Sequence, residues 1–154
     1  MEKIAAGRIA FWEGGSLWVL DVAGALDGPK RNATHAHHAF QLTFALGGEF
    51  KFHLDNQVVP GPAVVVAPDA PHAFEACGLV GLLFIEPESR AGRSLGRLME
   101  GRSAAMMSVE QARNAPTLIK QAFEHPSASR DVLRDTGKQI CENIAGHIRA
   151  TEPD

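Results

Sequence analysis

The 154-residue sequence predicts a mainly β protein with helices at its C-terminal end. Before residue 87, short runs rich in Val, Phe, Leu and Trp lie between Gly, Pro, Asp and Asn residues, which is typical of strands joined by turns. After residue 87 the turn residues thin out and apolar residues recur at helical spacing. We therefore predict a β domain over residues 1–87, and a helical segment that ends in the start of a linker over residues 88–154.

Two glycine pairs predict tight turns in the β domain. Gly14-Gly15 separates the first two apolar runs, and Gly47-Gly48 separates two further runs that alternate polar and apolar residues. Glycine tolerates the positive φ that two-residue connections require. We therefore expect a β-hairpin at each pair.

The helical half begins with a segment that carries Leu95 and Met99 at helical spacing. Ser108 and Gln111 form a possible capping box, which predicts the start of another helix. Pro116 lacks a backbone N–H and should interrupt it. We expect a short turn before this proline and a longer helix after it.

The last predicted helix runs from about residue 130 to residue 150 and is amphipathic. Its apolar stripe consists of Leu133, Ile140, Ile144 and Ile148, with Gly137 on the same face. The stripe either packs on the β domain or pairs with the same helix of a second subunit. Because it is longer than the edge of one small domain, we expect part of it to be free and predict a homodimer through the C-terminal helices.

Charge and hydropathy exclude two classes of partner. A formal net charge of -3 leaves no basic field for a polyanion, so these residues alone should not bind DNA. No apolar run reaches the roughly 18 to 20 residues of a membrane span, and the N-terminus lacks the apolar core of a signal peptide. We expect a cytoplasmic protein with no membrane partner. Cys77 and Cys141 have no CxxC spacing, which predicts free thiols.

The stretch THAHHAFQL holds three of the chain's seven histidines. Side chains alternate between the two faces of a strand, so His35, His37, Gln41 and Thr43 share one face. His38 lies on the other face with the aromatic residues. A spacing of two on one face lets two imidazoles converge on the same ion.

A further histidine, His72, follows the proline-rich turn APDAP and can close a three-histidine cluster with His35 and His37. Three imidazoles suit zinc, nickel or copper. The alternative is that these histidines line a polar pocket or satisfy one another through water.

The stretches HAHHAFQLTFALGGEF and GPAVVVAPDAPH resemble the two motifs of the cupin superfamily. The resemblance implies a cupin-like double-stranded β-helix barrel whose metal ligands are two His and one Glu from the first motif and one His from the second. The implied ligands here are His35, His37, Gln41 and His72, around one divalent transition metal, zinc or nickel. Gln41 replaces the Glu, and its neutral amide is a poorer ligand and no general base.

The order of parts resembles the N-terminal sensing and dimerisation domain of AraC-type transcription regulators. This resemblance implies a small-molecule or metal effector in the barrel, and DNA binding only through a helix-turn-helix region that is absent from this chain. The polar ending ATEPD is typical of a linker, so we expect a truncated chain or a stand-alone relative. We predict a ligand sensor and no enzyme. The alternative is a small metal-dependent cupin enzyme, an isomerase, dioxygenase or hydrolase, that uses the three histidines.

Five residues are candidates for the wall of a ligand pocket. Strand alternation nominates Thr43, His53 and Phe74, while Trp12 and Trp18 offer broad apolar surfaces with an indole donor. Each has an ordinary alternative, which is solvent exposure for His53 and core packing for the others.

Overall fold

The computed structural model describes residues 5–22, 30–125 and 129–151, which form nine strands and four helices. The strands are β1 (Ala5–Trp12), β2 (Gly15–Val22), β3 (Lys30–Arg31), β4 (Phe40–Ala45), β5 (Glu49–Leu54), β6 (Gln57–Pro60), β7 (Ala63–Val66), β8 (Ala73–Ile85) and β9 (Ala104–Met106). The helices are α1 (Arg90–Met99), α2 (Val109–Ala112), α3 (Ala115–Glu124) and α4 (Arg130–Thr151). In this part of the chain no helix combines the length and the apolar character needed to cross a membrane.

The strands form two antiparallel sheet halves that share strand β8. The larger half has the order β1-β2-β8-β4-β7-β9. The smaller half contains β3, β5 and β6 together with the first five residues of β8, Ala73 to Cys77. The remaining residues of β8 pair with β2 and β4. The prediction of a mainly β fold with C-terminal helices is confirmed.

Alternation along the strands separates two apolar layers. In β8, Leu82 and Phe84 lie in the layer between the two sheet halves, whereas Leu83 and Ile85 lie in the layer between the larger half and the helices. The interior layer also contains the phenylalanines of β5 and the valines of β7 at positions 64 and 66. The helices therefore cover one outer face of the larger half, and the interior of the barrel belongs to the strands.

The predicted hairpin at Gly47-Gly48 is wrong. Strands β4 and β5 pair with different parts of β8, so the chain crosses from the larger half to the smaller one at these glycines. A Cβ on Gly48 would overlap the backbone of Cys77 and Gly78, so the crossing requires a residue without a side chain. Strand β5 instead forms a hairpin with β6. The hairpin between β1 and β2 is confirmed.

The helical half follows the prediction with one exception. The Ser108 hydroxyl accepts a hydrogen bond from the backbone N–H of Gln111, and the Gln111 side chain accepts one from the backbone N–H of Ser108, so the capping box is confirmed. Helix α3 restarts with Pro116 in its first turn, as predicted. The exception is β9, which pairs with β7 and extends the larger sheet half.

Helix α4 packs its apolar stripe on the chain's own β domain. Leu133, Ile140 and Ile144 are at most 4% exposed and lie in the same layer as residues of β1, β2 and β4. Ile148 lies outside the residues whose side chains are described. The expectation that part of the stripe is free for a second subunit is therefore wrong for the three described residues. Packing on the β domain, the alternative, is confirmed, and the homodimer stays a prediction.

Gly137 explains how closely α4 approaches the sheet. A Cβ at this position would overlap the indole ring of Trp12, which is partly buried against the outer layer. The neighbour that the glycine accommodates thus belongs to the same chain. Trp12 packs beneath a helix and lines a cleft beside α1 and α4 instead of the barrel interior, which corrects the part of its assignment that placed it with the interior pocket.

Candidate metal and ligand site

Two loops carry the candidate histidines, and backbone hydrogen bonds join them. The N–H of His35 donates to the carbonyl of His72 at 2.9 Å, and the N–H of His72 donates to the carbonyl of His35 at 2.8 Å. The N–H of Asp69 donates to the carbonyl of His37 at 2.7 Å. Asp69 has a φ of 63°, a left-handed conformation that Asp tolerates better than most residues. The loops are therefore held side by side although they are far apart in sequence.

The three imidazoles of these loops converge. The ring centroid of His35 lies 4.7 Å from that of His37 and 4.6 Å from that of His72, and the centroids of His37 and His72 are 5.6 Å apart. One nitrogen from each ring lies within 4.8 Å of the other two. Neutral imidazoles that converge in this way are a donor set for zinc or nickel. The predicted cluster is present.

Two of the three rings have their tautomer fixed by a backbone carbonyl. The Nδ1 of His35 lies 2.8 Å from the carbonyl oxygen of Ala33, and the Nδ1 of His72 lies 2.8 Å from that of Ala70. A carbonyl can only accept, so each Nδ1 carries the proton and each Nε2 of the neutral ring keeps a lone pair. This is the arrangement in which histidines are oriented as metal ligands.

The Nε2 of His72 is the strongest indication that a group binds here. His72 is 1% exposed, and among the described residues its Nε2 is one of two buried side-chain polar atoms without a hydrogen-bond partner. A buried polar atom without a partner costs about 1–3 kcal/mol. A metal ion or a ligand donor at this nitrogen would remove that cost, so the three imidazoles fit a metal.

Burial keeps two of the imidazoles neutral. It lowers the pKa of His37 below its ordinary value, and the neighbouring rings of His35 and His72 lower it further. Burial also lowers the pKa of His72, partly opposed by the hydrogen bond to Ala70, and His35 adds to the lowering. Neutral imidazole is the form that binds a metal ion, so the rings are ready for coordination at neutral pH.

These lowered pKa values predict how the stability of the metal-free protein depends on pH. In the unfolded chain His37 and His72 take up protons as the pH falls below about 6.5, whereas in the folded chain they resist protonation. The unfolded state then binds more protons, so the free energy of unfolding should fall as the pH drops from 6.5 toward the lowered values. Above that window the contribution is fully present. Denaturant titrations in EDTA between pH 7.5 and pH 5 measure it.

A matched histidine outside the cluster serves as the control for that titration. The carboxylates of Asp69 and Glu88 raise the pKa of the fully exposed His38, so this ring acts in the opposite direction. His38→Gln should leave the acid-side loss of stability in place, and His72→Gln should reduce it. If the free energy of unfolding of His72→Gln fell with pH as steeply as that of the wild type, the pH dependence would not come from His72.

Gln41 and Thr43 face the barrel interior, as strand alternation predicted. They are 2% and 0% exposed, and the Gln41 Nε2 donates to the Thr43 Oγ1 at 3.4 Å. The Oε1 of Gln41 is the second buried polar atom of the described residues that lacks a partner. The described cluster of metal-ligating side chains consists of three histidines and contains no carboxylate. The residue that the cupin resemblance placed in the position of the Glu ligand is this amide.

Aromatic side chains surround the imidazoles. The ring of Phe84 lies 5.1 Å from that of His37, and the ring of Phe52 lies 5.6 Å from that of His72. Phe74 packs against Phe52 at 5.0 Å in the interior layer, which places this predicted pocket residue one ring away from the histidines. The walls next to the site are therefore apolar and uncharged.

Trp18 belongs to the same interior layer. Its ring lies 5.8 Å from that of Phe84, and its Nε1 donates to the Ser16 Oγ at 2.9 Å. The indole donor that the sequence offered to a ligand is thus already used within the chain. Trp18 presents apolar surface to the interior and no free donor.

His53 does not line the interior, which corrects its assignment to the pocket. Its Nε2 lies 3.3 Å from a carboxylate oxygen of Glu75, whose other oxygen lies 3.3 Å from the Lys51 Nζ. Adjacent Phe52 occupies the interior face, so alternation puts His53 on the opposite face of β5. Its role here is in an ion-pair cluster that also holds the pKa of Glu75 below its ordinary range.

Three residues of the site escaped the sequence analysis, and one of them is Phe52, which contacts His72. Phe84 contacts His37, and Ser16 holds the indole of Trp18. Phe84 shares its strand face with Phe74, which was predicted, so extending the same alternation ten residues along β8 would have found it. Ser16 gives no comparable signal, because a serine beside a glycine turn is ordinary.

Fold and site together define a class of protein: an antiparallel β barrel with helices on one outer face and three convergent histidines beside an apolar interior. Its structure is similar to several solved structures. An RmlC-like cupin from Shewanella frigidimarina is 17% identical, with 56% of this chain and 79% of that chain covered and a TM-score of 0.44. KdgF from Halomonas sp. is 21% identical, with 55% and 82% covered and a TM-score of 0.45.

A transcriptional regulator is also among the similar structures. This HTH_3 family regulator from Vibrio cholerae is 16% identical, with 55% of this chain and 52% of that chain covered and a TM-score of 0.44. No protein-family model and no curated protein matches the sequence. Identities this low and TM-scores below 0.5 carry no assignment of function.

Proposed function

We propose that this chain is the effector-sensing domain of an AraC-type transcription regulator and that it binds one divalent transition-metal ion, zinc or nickel. His35, His37 and His72 would hold the ion. The observation that carries this proposal is the buried Nε2 of His72, which lacks a partner although it belongs to a group of three convergent imidazoles. Coordination would give that atom a partner.

Binding without catalysis is proposed because the described site lacks a carboxylic acid or a carboxylate base. Among the described residues the histidine group contains no carboxylate, and Gln41 occupies the position where a carboxylate would provide one. An amide neither accepts nor releases a proton near neutral pH. The three imidazoles lose their basic nitrogens on coordination.

The contact between the site loops and the helices supports a sensing role. His38 directly follows His37, and its two ring nitrogens lie 3.1 Å from a carboxylate oxygen of Asp69 and 3.3 Å from one of Glu88. Glu88 stands two residues before the start of α1. A displacement of either loop on binding would alter these contacts beside the start of α1.

The proposed partners are a small-molecule effector, a second copy of the chain in a cytoplasmic homodimer, and DNA through a region that is absent here. Since the described stripe of α4 is buried, the dimer contact in the helical half needs other apolar residues. Met106, the last residue of β9, and Val109, the first residue of α2, are 58% and 88% exposed. We place the contact there.

Metal uptake tests the proposal. Untagged protein incubated with zinc or nickel and dialysed should retain close to one ion per chain by elemental analysis, and its unfolding temperature should rise relative to EDTA-treated protein. Retention near zero with both metals would end the proposal. Turnover of a cupin substrate that depends on added iron or manganese would favour the enzyme alternative.

A further inference from the structure

A row of aromatic rings leads from the histidines toward the protein surface. Phe84 lies 5.1 Å from His37, Trp18 lies 5.8 Å from Phe84, and Phe11 lies 6.2 Å from Trp18, all measured between ring centroids. Each contact is edge-to-face. Phe11 is 66% exposed, so the row ends in solvent.

The row offers apolar surface and no hydrogen-bond donor. Phe11 and Phe84 have none, and the Trp18 Nε1 is bonded to the Ser16 Oγ. Trp18 and Phe84 are only partly buried, although they belong to the interior layer. An aromatic face that remains partly accessible beside a polar site suits a flat apolar group.

The charge of the metal-loaded site indicates which polar group a ligand would carry. An imidazole binds a metal ion in its neutral form, so His35, His37 and His72 would add no charge to the ion, and neither would the amide of Gln41 or the rings of Phe52 and Phe84 that contact the imidazoles. A divalent ion held by neutral donors keeps its full charge of two. In low-dielectric surroundings an anion at an open coordination position is then strongly favoured.

We propose that the metal-loaded site binds small carboxylates with a flat apolar body. This inference rests on the metal site of the proposed function. The carboxylate of the ligand binds the ion in place of the carboxylate that a Glu at residue 41 would provide. The apolar body of the ligand lies against Phe84 and Trp18. With a Glu at residue 41 the centre would have a net charge of one, whereas with the neutral Gln41 it keeps a charge of two and attracts an anion more strongly.

Benzoate and cobalt(II) provide the probe and the reporter. Protein loaded with cobalt(II) should change its visible absorption spectrum on addition of benzoate. Benzoate should bind at least about tenfold more tightly than acetate, because burying one aromatic ring contributes more than about 1.4 kcal/mol. Benzyl alcohol, which has the ring without the charge, should leave the spectrum unchanged.

Variants assign the two ends of the ligand. Gln41→Glu should still take up one cobalt ion and should bind benzoate at least about tenfold more weakly, since it adds a negative charge to the centre. Gln57→Glu makes the same change at an exposed position of β6 and should bind as the wild type does. Trp18→Leu should weaken benzoate about threefold or more while acetate affinity stays constant.

The outcomes separate this inference from the proposed function. If the protein takes up no cobalt, zinc or nickel, both fail. If it takes up one ion per chain but benzoate does not change the spectrum, or if acetate and benzoate bind equally, only the carboxylate inference is overturned. Unchanged benzoate affinity in Gln41→Glu would equally overturn it, with circular dichroism showing that the variant is folded.

Discussion

Replacing Ile140 by Glu is expected to unfold the protein or to lower its free energy of unfolding by at least about 4 kcal/mol. Ile140 is 1% exposed and lies in the layer between α4 and the larger sheet half. The substitution removes its apolar contacts and buries a carboxylate that has no partner there. A domain of this size has a total stability of about 5–15 kcal/mol, so the effect is a large part of the whole. Denaturant titration followed by circular dichroism measures it.

Gln139→Glu is the matched control, because it introduces the same residue one position away on the exposed side of α4. We expect it to change stability by less than about 1 kcal/mol. Light scattering after size exclusion should accompany both measurements. An Ile140→Glu protein that remains folded and changes only from two chains to one would show that the stripe belongs to a subunit interface, contrary to the packing seen here.

His37→Ala is expected to weaken zinc or nickel binding by at least about 100-fold, because loss of a direct ligand exceeds the 10–100-fold cost of losing a residue that merely orients one. His37 is one of three imidazoles with nitrogens within 4.8 Å of one another. It is only partly buried, so the variant should fold. Isothermal titration calorimetry of metal-free protein gives the affinity.

His38→Ala provides the comparison within the same loop. His38 points away from the cluster, toward Asp69 and Glu88, and is fully exposed. We expect its metal affinity to stay within about threefold of the wild type, since exposed ion pairs contribute little. Equal losses in the two variants would mean that the loop as a whole, and not a specific imidazole, governs binding.

Strand alternation correctly predicted the face of Gln41 and Thr43, which lie in β4 and are buried. His35, His37 and His38 were also assigned to faces of a strand, but they precede β4 in a loop. The three-histidine cluster nevertheless excludes His38, as predicted, because the loop is fixed by the bridge between His35 and His72 and not by a strand period. Local reasoning also located the capping box at Ser108 and the start of the last helix.

Pairing between strands was beyond the same reasoning. A glycine pair between two alternating runs is a good hairpin signal, yet β4 and β5 both pair with β8, and the paired residues are 20 to 45 positions apart, from His53↔Ala73 to Phe40↔Ile85. Which strands pair depends on contacts across the whole sheet, so non-local contacts decide the partner of each strand. β9 was missed for the same reason, since three residues show no periodicity.

The sequence by itself determined the change from strands to helices near residue 87, the apolar stripe of α4, and the chemical identity of the three imidazole donors, because each depends on residue type and local spacing. Only the tertiary structure decided what each face meets. It placed Trp12 against Gly137 and turned His53 toward Glu75. It also left the buried Nε2 of His72 without a partner, because burial and hydrogen bonding arise only when distant segments pack together.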